Sequence, residues 1–121
     1  ARDVQTAHKQ WYFGKSLDGF TPIGPCIVTA DAFADYPPRL GIRSFVNGEK
    51  RQDSNTALQI FDIDHVIAEL SQGMTLKAGT IIATGTPAGV GMGMDPPQFL
   101  QPGDTVRCEI DGIGSLTNTV R

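Results

Sequence analysis

The sequence predicts a β-rich α+β domain with one clear amphipathic helix. Two tight-turn signals, Asn47-Gly48 and Asp111-Gly112, each lie between strand-like segments, as expected for β-hairpins. Only residues 62–70 place apolar side chains at the three- and four-residue steps of an amphipathic helix. A chain of 121 residues is long enough for one domain with one core, so the whole chain is predicted to be a single domain.

The first third of the chain predicts little regular structure. Residues 3–12 fit either a helical turn or an irregular loop, and polar side chains at helical spacing fit a solvated face. Residues 26–29 are short and β-branched, which predicts a strand. Residues 30–38 are a predicted loop that ends in two prolines.

Five further segments predict the strands of the sheet. Residues 40–46 alternate in part between apolar and polar, and 49–54 are their polar partner, which we expect at the edge of the sheet. Residues 80–83 are apolar and predict a buried strand. Residues 105–110 and 113–120 flank the second turn, which has the same predicted type as the first.

The helix at residues 62–70 has recognisable ends. Asp62 or Asp64 can cap its N-terminus, and Gly73 can close its C-terminus. The preceding residues, 55–61, do not favour either helix or strand. We therefore expect one well-defined helix after the first hairpin.

Composition and charge exclude several classes of protein. Hydrophobic residues make up 40% of the chain, which fits a globular protein, and the net charge of −3 argues against nucleic-acid binding. No apolar run approaches the ~20 residues that cross a bilayer, so a membrane partner is not expected. Cys26 and Cys108 lie among apolar or strand-like residues, and buried free thiols in a reducing, cytoplasmic compartment are the expectation, with a disulfide between them as the alternative.

A lysine between glycine and serine, at Gly14-Lys15-Ser16, is the first candidate for ligand binding. A nucleotide P-loop needs a further glycine five residues before the Gly-Lys-Ser, and this chain has Lys9 there. The preceding segment is also polar and aromatic rather than strand-like. A carboxylate or an enolate near a metal is therefore the candidate ligand of Lys15.

A glycine-rich segment follows the predicted strand at 80–83 and allows two interpretations. Its backbone N–H groups could bind an anion, with Thr84 or Thr86 adding a hydroxyl, or it could be a tight turn that needs positive φ. The spacing does not fit a dinucleotide-binding motif. The glycines concerned are Gly85, Gly89, Gly91 and Gly93.

The remaining polar residues do not form a complete catalytic set. His8 and His65 are isolated and lack the i, i+4 partner of a zinc helix. The carboxylate pairs Asp31/Asp35 and Asp62/Asp64 fit a loop and a helix cap rather than a metal cage. None of the serines lies in a nucleophile elbow; those considered are Ser16, Ser44, Ser54, Ser71 and Ser115.

The residues alone therefore predict an anion-binding site built from Lys15, Thr86, and Gln5 or Arg2. Seven segments also resemble motifs of one enzyme family, in order along the whole chain. They are Ala-Arg-Asp-Val-Gln at 1–5, Gln-Trp at 10–11, Gly-Lys-Ser-Leu-Asp-Gly-Phe at 14–20, Pro-Ile-Gly-Pro at 22–25, Val-Asn-Gly-Glu at 46–49, Arg-Gln-Asp-Ser-Asn-Thr at 51–56 and Thr-Gly-Thr-Pro-Ala-Gly-Val-Gly at 84–91. On these segments the chain resembles the C-terminal half of the fumarylacetoacetate hydrolase family.

The resemblance implies a fold, an assembly and a chemistry. The implied fold is a mixed β-sandwich roll, the implied assembly a homodimer, and the implied cofactor a divalent metal, usually Mg²⁺, with Mn²⁺ or Ca²⁺ as alternatives. Members hydrolyse, decarboxylate or isomerise small 2-oxo acids and 1,3-dicarbonyl compounds. The metal stabilises the enolate that forms in these reactions.

The resemblance also implies roles for individual residues. Lys15 matches the catalytic lysine beside the metal and its bound oxygens. Gln5 matches a glutamine that contacts substrate, and Arg2 borders the pocket. Thr86 matches the threonine that binds the substrate carboxylate, and Gly85 next to it is assigned to the same substrate-binding group.

The sequence departs from the family pattern in its metal site. The implied metal carboxylates, two glutamates and an aspartate, and the histidine and glutamate of the lid lie upstream of Ala1, and Gly19 replaces a threonine found in some members. We therefore expect the chain to be the C-terminal part of a longer enzyme, without tight metal binding or turnover by itself. The alternative is a non-catalytic β-domain kept for assembly or ligand binding.

Overall fold

The computed structural model describes residues 2–7 and 11–121 of the chain. These residues form a β-rich α+β fold, as the sequence predicts, with three α-helices, four β-strands and three short 3₁₀ turns in the described part. The helices are α1 (Arg2–Ala7), α2 (Trp11–Lys15) and α3 (Ile63–Ser71). The strands are β1 (Gly41–Val46), β2 (Glu49–Asn55), β3 (Thr105–Ile110) and β4 (Gly114–Thr119). The 3₁₀ turns are Ala30–Ala32, Thr56–Leu58 and Gly91–Gly93.

The four strands form one antiparallel sheet in the order β2-β1-β3-β4. The polar strand β2 lies at an edge, which confirms the prediction for residues 49–54. The turn between β1 and β2 is also confirmed, because Asn47 and Gly48 have φ values of 51° and 85°. Positive φ at both central residues is what this two-residue turn requires.

A β-bulge interrupts the first hairpin at Arg51. Phe45 pairs with Lys50, but the next residue of β1, Ser44, pairs with Gln52. Arg51 is therefore the extra residue of the bulge, and it has no direct partner on β1. A bulge of this kind changes which side chains face each other across a strand pair.

The second hairpin differs from its predicted form. Three residues, rather than two, separate Ile110 from Gly114, with which it pairs, and Gly112 has a φ of 75°. The predicted turn type is therefore wrong, although the hairpin itself is present. The backbone N–H of Asp111 donates to the carbonyl of Gly41, at 2.9 Å, so Asp111 extends the contact with β1 instead of entering a two-residue turn.

Helix α3 agrees closely with the prediction for residues 62–70. Asp62 is its N-cap, and the Asp62 carboxylate accepts a hydrogen bond from the backbone N–H of His65 at 2.7 Å. The predicted stop at Gly73 is wrong in its mechanism. The helix ends at Ser71, its C-cap Gln72 is in the right-handed helical region, and Gly73 is not among the described residues with positive φ.

Two predicted strands are absent from the described residues. Residues 26–29 and 80–83 have no strand partner, and Ile27 and Ile81 are 86% and 70% exposed. Both segments have a composition that suits a pleated, half-buried surface. The described part of the chain supplies no neighbouring strand for either, so the prediction of a strand at each, and of burial at 80–83, was wrong.

Apolar side chains are unusually exposed throughout the described residues. None of their hydrophobic side chains is fully buried, and the accessible surface is 9371 Å². A compact monomeric protein of 13.0 kDa exposes about 6,300 Å².

The prediction of buried thiols is also wrong, since Cys26 and Cys108 are free but exposed. None of the described helices is long and apolar enough to cross a lipid bilayer.

The N-terminal segment is helical on both sides of an undescribed gap. Within residues 3–12, which the sequence left open between helix and loop, α1 ends at Ala7 and α2 begins at Trp11. His8 and Lys9, for which the sequence predicts solvated side chains, lie outside the described residues. The prediction of one domain stays a prediction.

Candidate functional site

The first group of predicted site residues surrounds the indole ring of Trp11. The Lys15 ammonium lies 5.3 Å from the ring centroid, and the Arg2 guanidinium carbon lies 5.4 Å from it. Trp11 and Lys15 are four residues apart on α2, a spacing that places them on the same helix face. Both cations are within the range of cation–π attraction, so the indole holds two positive charges close together.

Gln5 connects α1 to this group. It is 8% exposed, and it is the one polar side chain that is buried among the described residues. Its Oε1 accepts a hydrogen bond from Nη1 of Arg2 at 3.0 Å. Since the oxygen is engaged, the amide hydrogens are the groups that Gln5 can offer to a ligand.

The second group lines a cavity of about 390 Å³ beside β2. One wall is polar and belongs to the glycine-rich segment, and the other is apolar and belongs to the turn after β2 and to α3. The polar wall includes Thr84, Gly85 and Thr86, and the apolar wall includes Leu58, Phe61 and Val66. A pocket with a few polar groups among apolar side chains is typical of small-molecule sites.

Thr86 is held on this wall by the side chain of Gln52. The Gln52 Nε2 donates to Oγ1 of Thr86 at 2.8 Å and to the carbonyl of Pro87 at 2.9 Å. The Gln52 Oε1 in turn accepts from the hydroxyl of Ser44, on the neighbouring strand, at 2.8 Å. Three directed hydrogen bonds therefore connect the centre of the sheet with the cavity.

The glycines of the segment are required for different structural reasons. A Cβ at Gly89 would collide with the carbonyl oxygen of Arg51, and one at Gly91 would collide with that of Gln98. Gly85 and Gly89 also have positive φ, at 106° and 102°. Close backbone packing therefore explains Gly89 and Gly91, whereas Gly85 stands on the cavity wall with open space beside it.

The predicted site residues thus occupy two places in the structure. Gly85 and Thr86 line the cavity, and Arg2, Gln5 and Lys15 gather around the indole of α2. Arg2, Gln5 and Lys15 are not among the residues that line the cavity. Their convergence on one substrate stays a prediction.

Gln52 contacts the candidate site through Thr86, and the sequence did not predict this contact. It lies in the Arg-Gln-Asp-Ser-Asn-Thr segment, which contributed to the resemblance without any residue in it receiving a role. A regular hairpin from the Asn47-Gly48 turn would have placed Arg51 opposite Ser44. The bulge puts Gln52 there instead, and no signal in the sequence marks the bulge.

The described residues do not supply a metal cage. Over residues 2–7 and 11–121, no three His, Cys, Asp or Glu side chains lie close enough together to hold an ion. Asp62 caps α3, and Asp64 accepts a hydrogen bond from the hydroxyl of Tyr36 at 2.9 Å. His65 stacks on Phe61 with the ring centroids 4.7 Å apart, as expected for a structural histidine.

Comparison with protein families and curated proteins identifies close relatives along the whole chain. The family model described as fumarylacetoacetate (FAA) hydrolase C-terminal matches residues 1–121. Oxaloacetate tautomerase YisK of Bacillus subtilis is 50% identical over 120 residues, which are 99% of this chain and 40% of that protein. The chain therefore spans about 40% of the length of the curated relatives it matches.

Solved structures give the same result. A fumarylacetoacetate hydrolase from Exiguobacterium antarcticum is 54% identical with a TM-score of 0.94, over 100% of this chain and 43% of that one. A maleylpyruvate hydrolase from Sphingobium sp. SYK-6, solved with manganese(II) and pyruvate, is 44% identical with a TM-score of 0.78, over 89% of this chain and 38% of that one.

Proposed function

Because the chain belongs to the fumarylacetoacetate hydrolase family, we propose that it forms the C-terminal part of an enzyme acting on small 2-oxo acids and 1,3-dicarbonyl compounds. The proposed reactions are hydrolysis of a carbon–carbon bond, decarboxylation, and enol–keto isomerisation. All three pass through an enolate, so one set of stabilising groups can serve any of them.

The named relatives support a 2-oxo acid as the substrate. Oxaloacetate and maleylpyruvate both have a carbonyl next to a carboxylate, and the structure of the maleylpyruvate hydrolase contains pyruvate. A tautomerase and a hydrolase among the relatives also indicate that the family changes the reaction while keeping this substrate group. Within the proposed class, the chain's own polar groups must therefore recognise a carboxylate and a neighbouring oxo oxygen.

Thr86 is the residue proposed to bind the substrate carboxylate, and its position is the observation on which the proposal rests. Thr86 belongs to the polar wall of the cavity, and its hydroxyl oxygen is fixed by a 2.8 Å hydrogen bond from Gln52. The backbone N–H of Gly85 is a second donor proposed for the same carboxylate. A hydrogen bond to a charged group contributes more than one between neutral groups, about 1.5–3 kcal/mol.

Lys15 is proposed to stabilise negative charge on the reacting oxygen. An ammonium that is already in place when the enolate forms lowers the barrier without further reorganisation. Trp11 holds this ammonium, and the second cation on the same ring, Arg2, adds positive potential. Arg2 is proposed to border the substrate pocket of the whole enzyme. Gln5 would donate its amide hydrogens to a substrate oxygen.

A divalent cation is part of the proposed enzyme, with Mg²⁺, Mn²⁺ or Ca²⁺ as candidates. The manganese in the related maleylpyruvate hydrolase supports it. The part of the chain described by the structure lacks a carboxylate cluster for such an ion, so its ligands are proposed to come from other residues of the whole protein. When bound, the cation would act as a Lewis acid that stabilises charge on the substrate.

The exposed apolar surface supports a larger assembly. Hydrophobic side chains that are mostly exposed here, such as Ile60 at 92% and Leu58 at 74%, need cover in water. We propose that two partners cover these side chains. One is the remaining part of a protein as long as the curated relatives, and the other is a second copy of the chain in a homodimer. Leu58 and Ile60 also line the cavity, so the same contacts would close its apolar wall.

The test of the proposed function uses the whole protein with oxaloacetate and maleylpyruvate as substrates. Loss of enol absorbance measures tautomerisation, and coupled detection of pyruvate measures hydrolysis. We expect turnover of at least one substrate, its loss after treatment with a chelator, and its recovery with Mg²⁺ or Mn²⁺. A folded whole protein that neither binds nor converts any 2-oxo acid would support the non-catalytic β-domain instead.

A second test uses residues 1–121 alone. We expect no turnover, and calorimetric titration should show no micromolar binding of Mg²⁺ or Mn²⁺, because the described residues lack a cluster of metal ligands. Micromolar binding by this isolated chain would contradict the assignment of the metal ligands to other parts of the protein.

A further inference from the structure

The side chain of Gln52 makes three hydrogen bonds that together fix its orientation. A carbonyl oxygen can only accept, so the Gln52 atom facing the Pro87 carbonyl must be the amide nitrogen. The amide oxygen then faces Ser44, whose hydroxyl donates to it. The two hydrogens of the nitrogen are both used, one on Pro87 and the other on the hydroxyl oxygen of Thr86.

This orientation decides what the Thr86 hydroxyl can do. Its oxygen accepts from Gln52, so its own hydrogen must point elsewhere. Among residues 2–7 and 11–121, Thr86 has no hydrogen bond in which that hydrogen is donated to the protein. Thr86 lines the cavity, and the hydrogen is therefore available to a molecule inside it.

We propose that Gln52 is a positioning residue that orients the hydroxyl of Thr86 as a hydrogen-bond donor toward the carboxylate of the substrate. This inference rests on the proposed function and extends it to a residue that does not line the cavity. A hydroxyl that is free to rotate could accept as well as donate. One whose oxygen is already engaged favours a partner that only accepts, and an ionised carboxylate is such a partner.

The backbone of β2 explains how Gln52 reaches Thr86. The bulge at Arg51 places Gln52 opposite Ser44, on the strand next to the edge of the sheet. The carbonyl of Arg51 packs directly against Gly89, where a side chain would collide with it. The bulge therefore supplies both the amide that holds Thr86 and the surface on which the glycine-rich segment rests.

The experiment measures pyruvate binding to the whole protein in saturating Mn²⁺ by calorimetry. The variants are Gln52→Met, Gln52→Glu, Thr86→Val and the double variant Gln52→Met/Thr86→Val. Thr86→Val should weaken pyruvate binding about tenfold or more, since a hydrogen bond to a charged group is lost. Gln52→Met should weaken it about three- to tenfold, and the double variant should bind no worse than Thr86→Val alone.

Gln52→Glu makes the sharper variant because it changes one atom and keeps the volume. Pyruvate binding to this variant is measured at pH 8. The carboxylate of the introduced glutamate cannot donate to Thr86 and instead accepts its hydroxyl hydrogen, which turns that hydrogen away from the cavity. We expect at least as large a loss of pyruvate binding as in Gln52→Met. This variant also serves if Gln52→Met fails to fold. Gln72→Met, at the end of α3, is the control and should bind like the wild type.

The outcomes separate the two ideas. Unchanged pyruvate binding in both Gln52 variants, with Thr86→Val impaired, would overturn the positioning role alone. The positioning role would also be overturned if the loss of pyruvate affinity in the double variant equalled the product of the two single losses. Such a result would show that Gln52 acts independently of Thr86. A wild-type protein that does not bind pyruvate would overturn the proposed 2-oxo acid function, and the positioning role with it.

Discussion

The two groups of candidate site residues are held by different kinds of force. Lys15 is placed by a cation–π contact with Trp11, at the end of a long side chain with several rotatable bonds. Thr86 is placed by a short side chain and by directed hydrogen bonds that lead through Gln52 to Ser44 in the sheet. The first arrangement tolerates movement, and the second allows little.

This difference indicates which half of the site is organised within the chain. The half proposed to bind the carboxylate, which contains Thr86, has its supporting hydrogen bonds among the described residues, so we expect it to be largely formed before substrate arrives. The cationic half lies on two short helices, and within the described residues its two cationic side chains contact Trp11, with Arg2 also contacting Gln5. We infer that this half depends on contacts from the rest of the protein and from the proposed metal.

The largest expected effect is on catalysis by the cationic half. Lys15→Met keeps most of the stem but removes the charge that is proposed to stabilise the enolate, so kcat should fall about 10²-fold or more. KM should change much less if the lysine acts mainly in the transition state. Steady-state kinetics of the whole protein measure both values.

Lys50→Met is the matched control for that experiment. Lys50 lies on β2, is exposed and pairs with Asp53, so its replacement should leave kcat unchanged. An unchanged kcat in Lys15→Met would assign that lysine to the scaffold. The cationic half would then have no catalytic role for this lysine.

The second prediction concerns the support under the carboxylate-binding half. Gly89→Ala places a Cβ against the Arg51 carbonyl at a φ of 102°, so the glycine-rich segment must shift away from β2. Backbone strain of this kind costs about 1–3 kcal/mol, and we expect KM for the oxo acid to rise about tenfold. Gly93→Ala is the control, since its nearest neighbour is a Val90 methyl at 3.7 Å. Equal KM values in the two variants would show that the packing at Gly89 does not position Thr86.

A smaller effect is expected from the indole that holds the cations. Trp11→Leu removes the cation–π attraction for Lys15 and Arg2, worth about 0.5–1 kcal/mol at an exposed site, so kcat should fall about two- to fivefold. Trp11→Phe keeps an aromatic face and should lose less. If Trp11→Leu were as damaging as Lys15→Met, the cationic half would be held more rigidly by α2 than the structure indicates.

The smallest expected effect is a pH dependence within the sheet. The backbone N–H of Gln101 and the side-chain amide of Asn47 donate to Asp104, and they lower the pKa of its carboxyl from the ordinary value of 3.8. A depressed folded-state pKa means that the stabilisation is complete above 3.8 and is lost as the pH falls through the lower, folded value.

Carboxyl NMR titration of the whole protein measures this pKa directly, and Asp104→Asn should remove the corresponding part of the acid sensitivity. A midpoint at or above 3.8 would show that these hydrogen bonds do not persist in solution. The sheet that holds Thr86 in place would then be less rigid than its hydrogen bonds indicate.

Local signals in the sequence predicted those parts of the fold that depend on neighbouring residues. The Asn47-Gly48 turn and the Asp62 cap follow from short-range backbone chemistry, and the edge position of β2 follows from its polar side chains. The bulge at Arg51 and the three-residue second turn were not predictable in this way. Both depend on contacts between distant segments, such as the hydrogen bond from Asp111 to Gly41.

The same limit applies to the candidate site. Thr86 and Lys15 were predicted from the residues alone, because each lies in a segment with its own local signal, and the resemblance then implied their roles. Gln52 could not be found, because its role follows from a strand register that the bulge changes. The predicted strands at 26–29 and 80–83 failed for a related reason: strand composition needs a partner strand, and the described residues offer none.

The lack of fully buried hydrophobic side chains in the described residues has a calorimetric consequence. Unfolding a typical domain of this length raises the heat capacity by about 1.5–1.8 kcal/mol/K, because apolar groups become hydrated. In the isolated chain many of these groups are already hydrated, so the increment should be well below that range and the melting transition broad. Scanning calorimetry should recover a sharp transition with a full increment only when the whole protein covers this surface.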